Sequence, residues 1–204
     1  MLRKITILVA AIIAIPFILA LFVQKDYSVI SSVTIDRPVA EVFDYVKHLK
    51  NQDNFSVWAQ MDPTMEKTYK GVDGTVGFVS AWKSNNEEVG VGEQEIIKID
   101  EGKRVDFELR FISPFEATEP AYMTTEALGS DKTMVSWGFH GHMNYPMNLM
   151  FLFIDFETLI ENDLSQGLGN LKLLLESDKT ISEKTISDKA INTDVIESLD
   201  EAFI

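Results

Sequence analysis

The chain has 204 residues, 46% of them hydrophobic and 25% charged, enough to enclose a full core in one domain with short additions. Its 18 basic and 32 acidic residues give a net charge of -14, which repels phosphate backbones and anionic head groups, so neither a nucleic-acid partner nor polybasic membrane docking is expected. Cysteine is absent, which removes disulfides, thiol nucleophiles and Cys-ligated zinc.

Met1-Leu2-Arg3-Lys4 leads into an uncharged stretch from Ile5 to Val23 in which only Thr6 is polar. As a helix it would span roughly 28 Å, near the thickness of a bilayer's hydrocarbon core, so residues 1–25 are expected to form a transmembrane anchor kinked at Pro16. Arg3 and Lys4 place the N-terminus in the cytoplasm, which makes the chain a single-pass protein of the cell membrane with its domain on the extracytoplasmic side. A cleaved signal peptide is the rival reading; its apolar region is usually shorter, and no small-x-small site precedes Lys25.

Alternation of Val29, Ser31, Val33 and Ile35 predicts a strand over 27–35, closed by Asp36-Arg37-Pro38. Pro38 and Glu41 suit a helix start, and Val39, Val42, Phe43, Val46 and Leu49 carry the helical spacing to about 49. A second short helical piece is expected to hold Phe55 and Trp58. Turn signals then bound strands at 64–70, 75–84, 88–99, 103–112, 117–128 and 132–143, an antiparallel meander. From Met150 the period changes to that of a helix reaching Leu175, long enough to cover the sheet. Residues 177–204 read as a polar, acidic tail: a loose linker, then a short segment that Asp194 and Glu197 could cap.

Strand alternation sorts the side chains into two faces. If Trp137 points inward, so do Val135, Phe139 and Gly141, while His140 and His142 point out. The inner face then gains Phe107, Leu109 and Phe111, then Gly90, Gly92, Gln94 and Ile96, then Val76, Phe78, Ser80 and Trp82, and finally Ala121, Met123 and Thr125. Gly74, Gly77, Gly90 and Gly92, with Gly167 and Gly169 on the covering helix, argue for bends and for space between the walls. One reading makes these aromatics simple core. The other makes a cavity for a hydrophobic molecule or lipid, lined by Trp58, Phe78, Trp82, Gln94, Phe107, Phe111, Met123, Trp137, Phe139 and Phe153, with Ser80, Gln94, Thr125 and a rim Glu119 to orient the ligand.

Reactive chemistry is sparse. His140-x-His142 could share a metal but lies on the expected outer face without a third ligand, and His48 suits a helix C-terminus, so neither a metal nor another cofactor is expected. Asp155 and Glu157 fall in the expected covering helix, where one carboxylate facing an apolar cavity could serve acid–base work; Asp155 is the single weak catalytic candidate. No Ser-His-Asp set, phosphate loop or dinucleotide fingerprint is present. Leu149 to Ile154 is apolar all round and is read as buried near Phe55 and Trp58, as a cap on the cavity mouth, or as a membrane contact.

Four stretches, V-T-I-D-R-P-V-A-E-V-F (33–43), G-T-V-G-F-V-S-A-W (74–82), V-G-V-G-E (89–93), and P-F-E-A (114–117) with V-S-W (135–137), together with L-S-Q-G-L-G-N-L-K-L-L (164–174), resemble the polyketide cyclase/dehydrase-like branch of the SRPBCC (START and Bet v 1-like) superfamily. The resemblance covers residues 28–176 and implies an α+β helix-grip fold, an antiparallel sheet wrapped on a long C-terminal helix, as the domain at 26–176. It also implies a choice of functions, because such a fold hosts lipid carriers, cyclases and interaction modules alike. The apolar interior favours a lipid-binding or transport-like protein over an enzyme. A cyclase or dehydratase acting on a hydrophobic substrate is the alternative, and a protein-interaction module working through the tail is the third reading.

Overall fold

A computed structural model describes residues 2–177, with side chains throughout that span except at 2 and 7–11. An N-terminal helix α1 (Leu2–Ala20) precedes strand β1 (Asp26–Ile35), helix α2 (Val39–Val46), a 3-10 segment (Leu49–Asn54) and helix α3 (Val57–Met61). Six strands follow: β2 (Glu66–Lys70), β3 (Val79–Lys83), β4 (Val91–Asp100), β5 (Arg104–Ser113), β6 (Ala117–Ala127) and β7 (Thr133–His142). A 3-10 segment (Met147–Leu152) and the covering helix α4 (156–177) complete the domain. All neighbours in the seven-stranded sheet are antiparallel, in the order β1-β7-β6-β5-β4-β3-β2, so the chain's first strand pairs with its last. This is the helix-grip arrangement, and the strand order places every connection from β2 onward in a short turn.

α4 lies across the sheet's inner face. Its Leu164, Leu168, Leu171 and Leu175 pack with Ile35, Val42, Phe43, Val46, Phe78, Ile96, Val105, Phe107, Met123 and Val135. Polar anchors fix its far end: the Arg37 guanidinium donates to the Leu175 carbonyl at 2.8 Å, the Asp36 amide to Glu176 at 2.8 Å, and the Lys172 ammonium to the Thr34 carbonyl at 2.6 Å. On the opposite face Arg110 reaches Glu93, Glu95 and Glu108 at 2.5–2.8 Å. Three carboxylates hold its guanidinium well above the usual arginine range and it neutralises part of that acidic surface.

Three expectations change. The segment before β3 is turn-like: Val79 rather than residue 75 opens the strand, Thr75 and Phe78 close turns on Val72 and Thr75, and Val76 is exposed instead of inward. The covering helix starts at 156 rather than near 150, because Met147–Leu152 forms a 3-10 segment and Asp155 takes the position before the helix. Among the described residues no helix is long and apolar enough to cross a membrane. α1 ends at Ala20, and Arg3 and Lys4 lie inside it, so its apolar part, Ile5–Ala20, covers about 24 Å against the 28 Å expected to Val23. The expected tail segment, with Asp194 and Glu197, lies outside the described residues.

α1 is tied to the domain through Asn148. The buried Asn148 donates its Nδ2 to the carbonyls of Ala20 and Val23, at 2.7 and 3.0 Å. The Ala20 carbonyl is among those a helix end leaves without an intrahelical partner, and Val23 lies in the link to β1.

Candidate functional site

Between the inner sheet face and the first turns of α4 lies a cavity of about 810 Å³. Its apolar wall comes from Trp82, Leu109, Phe111, Ala121, Trp137 and Phe139 on the sheet, Met150, Phe156, Ile160 and Leu164 on the covering segment, and Leu49, Trp58 and Ala59 on the connection between β1 and β2. Trp137 is the floor: its ring meets Phe55 and Trp58 edge-on at 5.7 and 6.1 Å, and Gly167 closes over it, since a Cβ there would stand 3.1 Å from the indole. The exposed lining residues Glu88, Pro114, Phe115, Glu116, Asn144 and Met147 mark the mouth. They belong to the β3–β4 and β5–β6 turns and the chain after β7, the end of the sheet at which Asp26 pairs with His142 and α1 joins the domain.

Register explains the cavity's polar groups. Ser80 pairs with Gln94, Gln94 with Leu109, and Leu109 with Glu119, while on the far edge Gly141 pairs with Tyr27. The Ala121–Phe139 pairing, carried two residues further, sets Glu119 opposite Gly141. One row across the sheet therefore carries Ser80, Gln94, Glu119 and Tyr27, and each of them lines the cavity. Gly141 is what permits the last pair: a Cβ there would fall 2.1 Å from the Tyr27 ring, so the phenol lies across the glycine toward Glu119. Gly92 plays the same part for Trp82, whose indole would meet a Cβ at 2.6 Å and whose Nε1 donates to the Val89 carbonyl at 3.1 Å.

Glu119 is 6% exposed. Its Oε1 accepts the His142 backbone amide at 3.0 Å, the one hydrogen bond the carboxylate makes among the described residues. Burial pushes its carboxyl above the ordinary glutamate range, more than that hydrogen bond and the neighbouring His142 lower it. Burial, helped by the Glu119 charge, pushes the Tyr27 phenol up to about 12. At the rim His142 donates through Nδ1 to Asp26 at 2.6 Å, and this carboxylate holds the imidazole above its usual range.

Of the expected lining residues, Trp58, Trp82, Gln94, Phe111, Trp137 and Phe139 surround the cavity. Phe78, Phe107 and Met123 face inward but lie in the packed core beyond it. Phe153 is 85% exposed and outside the cavity, whereas its neighbours turn in: Phe151 packs on Tyr27 and Phe156, with centroids 5.5 and 5.7 Å apart. The all-round apolar segment is thus not wholly buried; a 3-10 segment sends Phe151 inward and Leu152 out. Asp155 caps α4, accepting the Thr158 amide at 3.0 Å and its hydroxyl at 2.8 Å, which keeps its carboxyl below the usual range. That is a structural role at an exposed helix start, outside the cavity. Thr125 bonds the Gly102 carbonyl at 3.0 Å and is not part of the lining. Among the described residues no group of three or more His, Asp or Glu stands together as metal ligands. Tyr27, Gln52 and the part of the β1–β2 wall other than Trp58 escaped sequence reasoning. The glycine at 141, inward on a strand facing a tyrosine strand, is the signal that could have located Tyr27.

Residues 27–176 match the sequence profile described as polyketide cyclase / dehydrase and lipid transport. The chain belongs to this family. Solved structures share its fold: DynU16, from the dynemicin biosynthetic locus, is 14% identical with a TM-score of 0.52 over 74% of this chain and 48% of its own. Ara h 8.0201 is 13% identical with a TM-score of 0.51 over 74% of this chain and 99% of its own. A protein from Mesorhizobium loti is 12% identical with a TM-score of 0.52 over 74% and 98%. No curated protein matches the sequence. The family profile covers the sheet except Asp26 and all but the last residue of α4, and every residue lining the cavity lies within it.

Proposed function

We propose that this family member binds a lipid or similar hydrophobic molecule in its cavity and works at a membrane surface, as a carrier rather than a catalyst. The observation that carries the reading is the 810 Å³ hollow, walled mostly by apolar side chains and opening where α1 joins the domain. Around that opening the exposed apolar residues continue from the helix onto the domain: Ile18, Leu19, Leu21 and Phe22, then Met147, Leu152 and Phe153, with Phe115 at the mouth. A surface of this kind buries itself in lipid. Although α1 falls short of a full span, we place its apolar length of about 24 Å in the membrane, where local thinning of the bilayer would let Arg3 and Lys4 reach the head groups. The polarity of Arg3 and Lys4 favours a cytoplasmic N-terminus and an extracytoplasmic domain.

The test fills the space. Leu109→Trp, placed mid-row, is expected to abolish binding of a fluorescent hydrophobic probe by the full chain while circular dichroism stays unchanged; undiminished binding would refute the reading. Phe153→Asp is expected to slow transfer of the probe between vesicles and leave its affinity intact. A cyclase or dehydratase reading draws support from Glu119 and Tyr27, a carboxyl and a phenol displaced from their ordinary pKa values beside an apolar hollow. It predicts turnover of a hydrophobic polyketone that Glu119→Gln eliminates.

A further inference from the structure

We propose that the cavity selects a ligand whose head donates a hydrogen bond, an aliphatic alcohol or amine, through Glu119, and rejects anionic heads. The inference rests on the carrier reading and names its ligand class. Glu119 sits in the lining with its Oε1 engaged by the His142 amide and its Oε2 without a partner among the described residues. Gln52 lines the same cavity, is 8% exposed, and has its Nε2 without a partner among the described residues; as a donor it calls for an acceptor, which a hydroxyl supplies and an ammonium does not. A buried polar group is costly to leave unmatched, so an occupant that supplies the missing partner gains from it.

The sign of the charge selects the head. The lining contains the carboxylates Asp53, Glu88, Glu116 and Glu119, while its lysine, Lys67, is ion-paired with Asp53, and His142 is paired with Asp26. A fatty-acid carboxylate or a phosphate placed in this setting meets acidic groups and no unengaged cation of the lining. An ammonium is attracted to Glu119, and a hydroxyl donates to it. Tyr27, laid over Gly141, backs the same carboxylate and narrows its approach to the cavity side.

The experiment uses the full chain in phosphatidylcholine nanodiscs loaded with Nile red, displaced at pH 7.5 by decylamine, 1-decanol or decanoate after correction for partition into empty discs. Decylamine and decanol are expected to displace the dye at concentrations about tenfold lower than decanoate. In Glu119→Gln, which keeps an acceptor for the His142 amide but puts an N–H donor where the open oxygen stood, decylamine and decanol both lose their advantage over decanoate. Unchanged Nile red uptake shows that the variant is folded. Equal potency of decanoate and decylamine, or an undiminished amine advantage in Glu119→Gln, would overturn the proposal and leave the carrier reading standing. A chain that takes up no Nile red at all would overturn both.

Discussion

The two ends of the sheet's inner face are written in the same kind of residue and do opposite things. Toward the β4–β5 and β6–β7 turns, Phe78, Ile96, Val105, Phe107, Met123 and Val135 meet Leu168 and Leu171 of α4 and leave no space. Toward the mouth, Trp82, Leu109, Phe111 and Phe139 face a hollow. Strand alternation is identical in both halves. What differs is the covering layer: α4 is pressed down at Gly167 and anchored between Lys172 and Glu176, while its first turn is held off by Phe151, which meets Tyr27 and Phe156 edge-on. An inward aromatic is thus core or cavity wall according to its distance from the pinned end of one helix.

Deleting aromatics at each end breaks the comparison most sharply. Phe107→Ala should cost about 3–5 kcal/mol in denaturant unfolding, because it opens a void in a filled core. Phe111→Ala should cost only about 1–2 kcal/mol, the transfer value of a ring that already borders space, while weakening probe binding. Equal costs would mean that the hollow is not retained in solution. A smaller effect comes from Gly141→Val, which thrusts a side chain into the Tyr27 ring: about 1–3 kcal/mol of overpacking is expected, with a shift in tyrosine absorbance on alkaline titration as the phenol is displaced from Glu119.

The smallest effect has the opposite sign. The Glu119 carboxyl is raised in the folded state, so the folded protein takes up its proton more readily than the unfolded chain, and stability falls as pH rises through the raised value. Glu119→Gln is therefore expected to raise the melting temperature slightly at pH 7 and to lose that advantage below the ordinary glutamate range. A melting temperature lowered at pH 7 would show that the carboxylate stabilises the fold instead.

The fold was legible because it rests on local signals. Strand alternation, the turns at Asn85, Gly102 and Gly129 and the leucines of α4 each act over a few residues, and they placed β1 and β4 to β7 within three residues of their observed ends. The missed boundaries lie where short range fails. At 75–78 the pattern of apolar residues outlasts the strand hydrogen bonds, and at 147–155 the helical spacing continues through a 3-10 segment that Asp155 separates from α4. Trp58, Trp82 and Gln94 were legible as lining from alternation and position, whereas Tyr27 was assigned to a strand without being given a face.

The sequence by itself determined the sheet, its two faces, the family and an interior of apolar residues, since each follows from side-chain type at period two or 3.6. Only the tertiary structure decided where that interior is empty and how its polar groups meet. Glu119 and Tyr27 come from β6 and β1, strands ninety residues apart in sequence that never pair, and it is the intervening β7, with a glycine in the shared row, that brings the phenol against the carboxylate. A volume is a relation between two walls, and no stretch of sequence contains both.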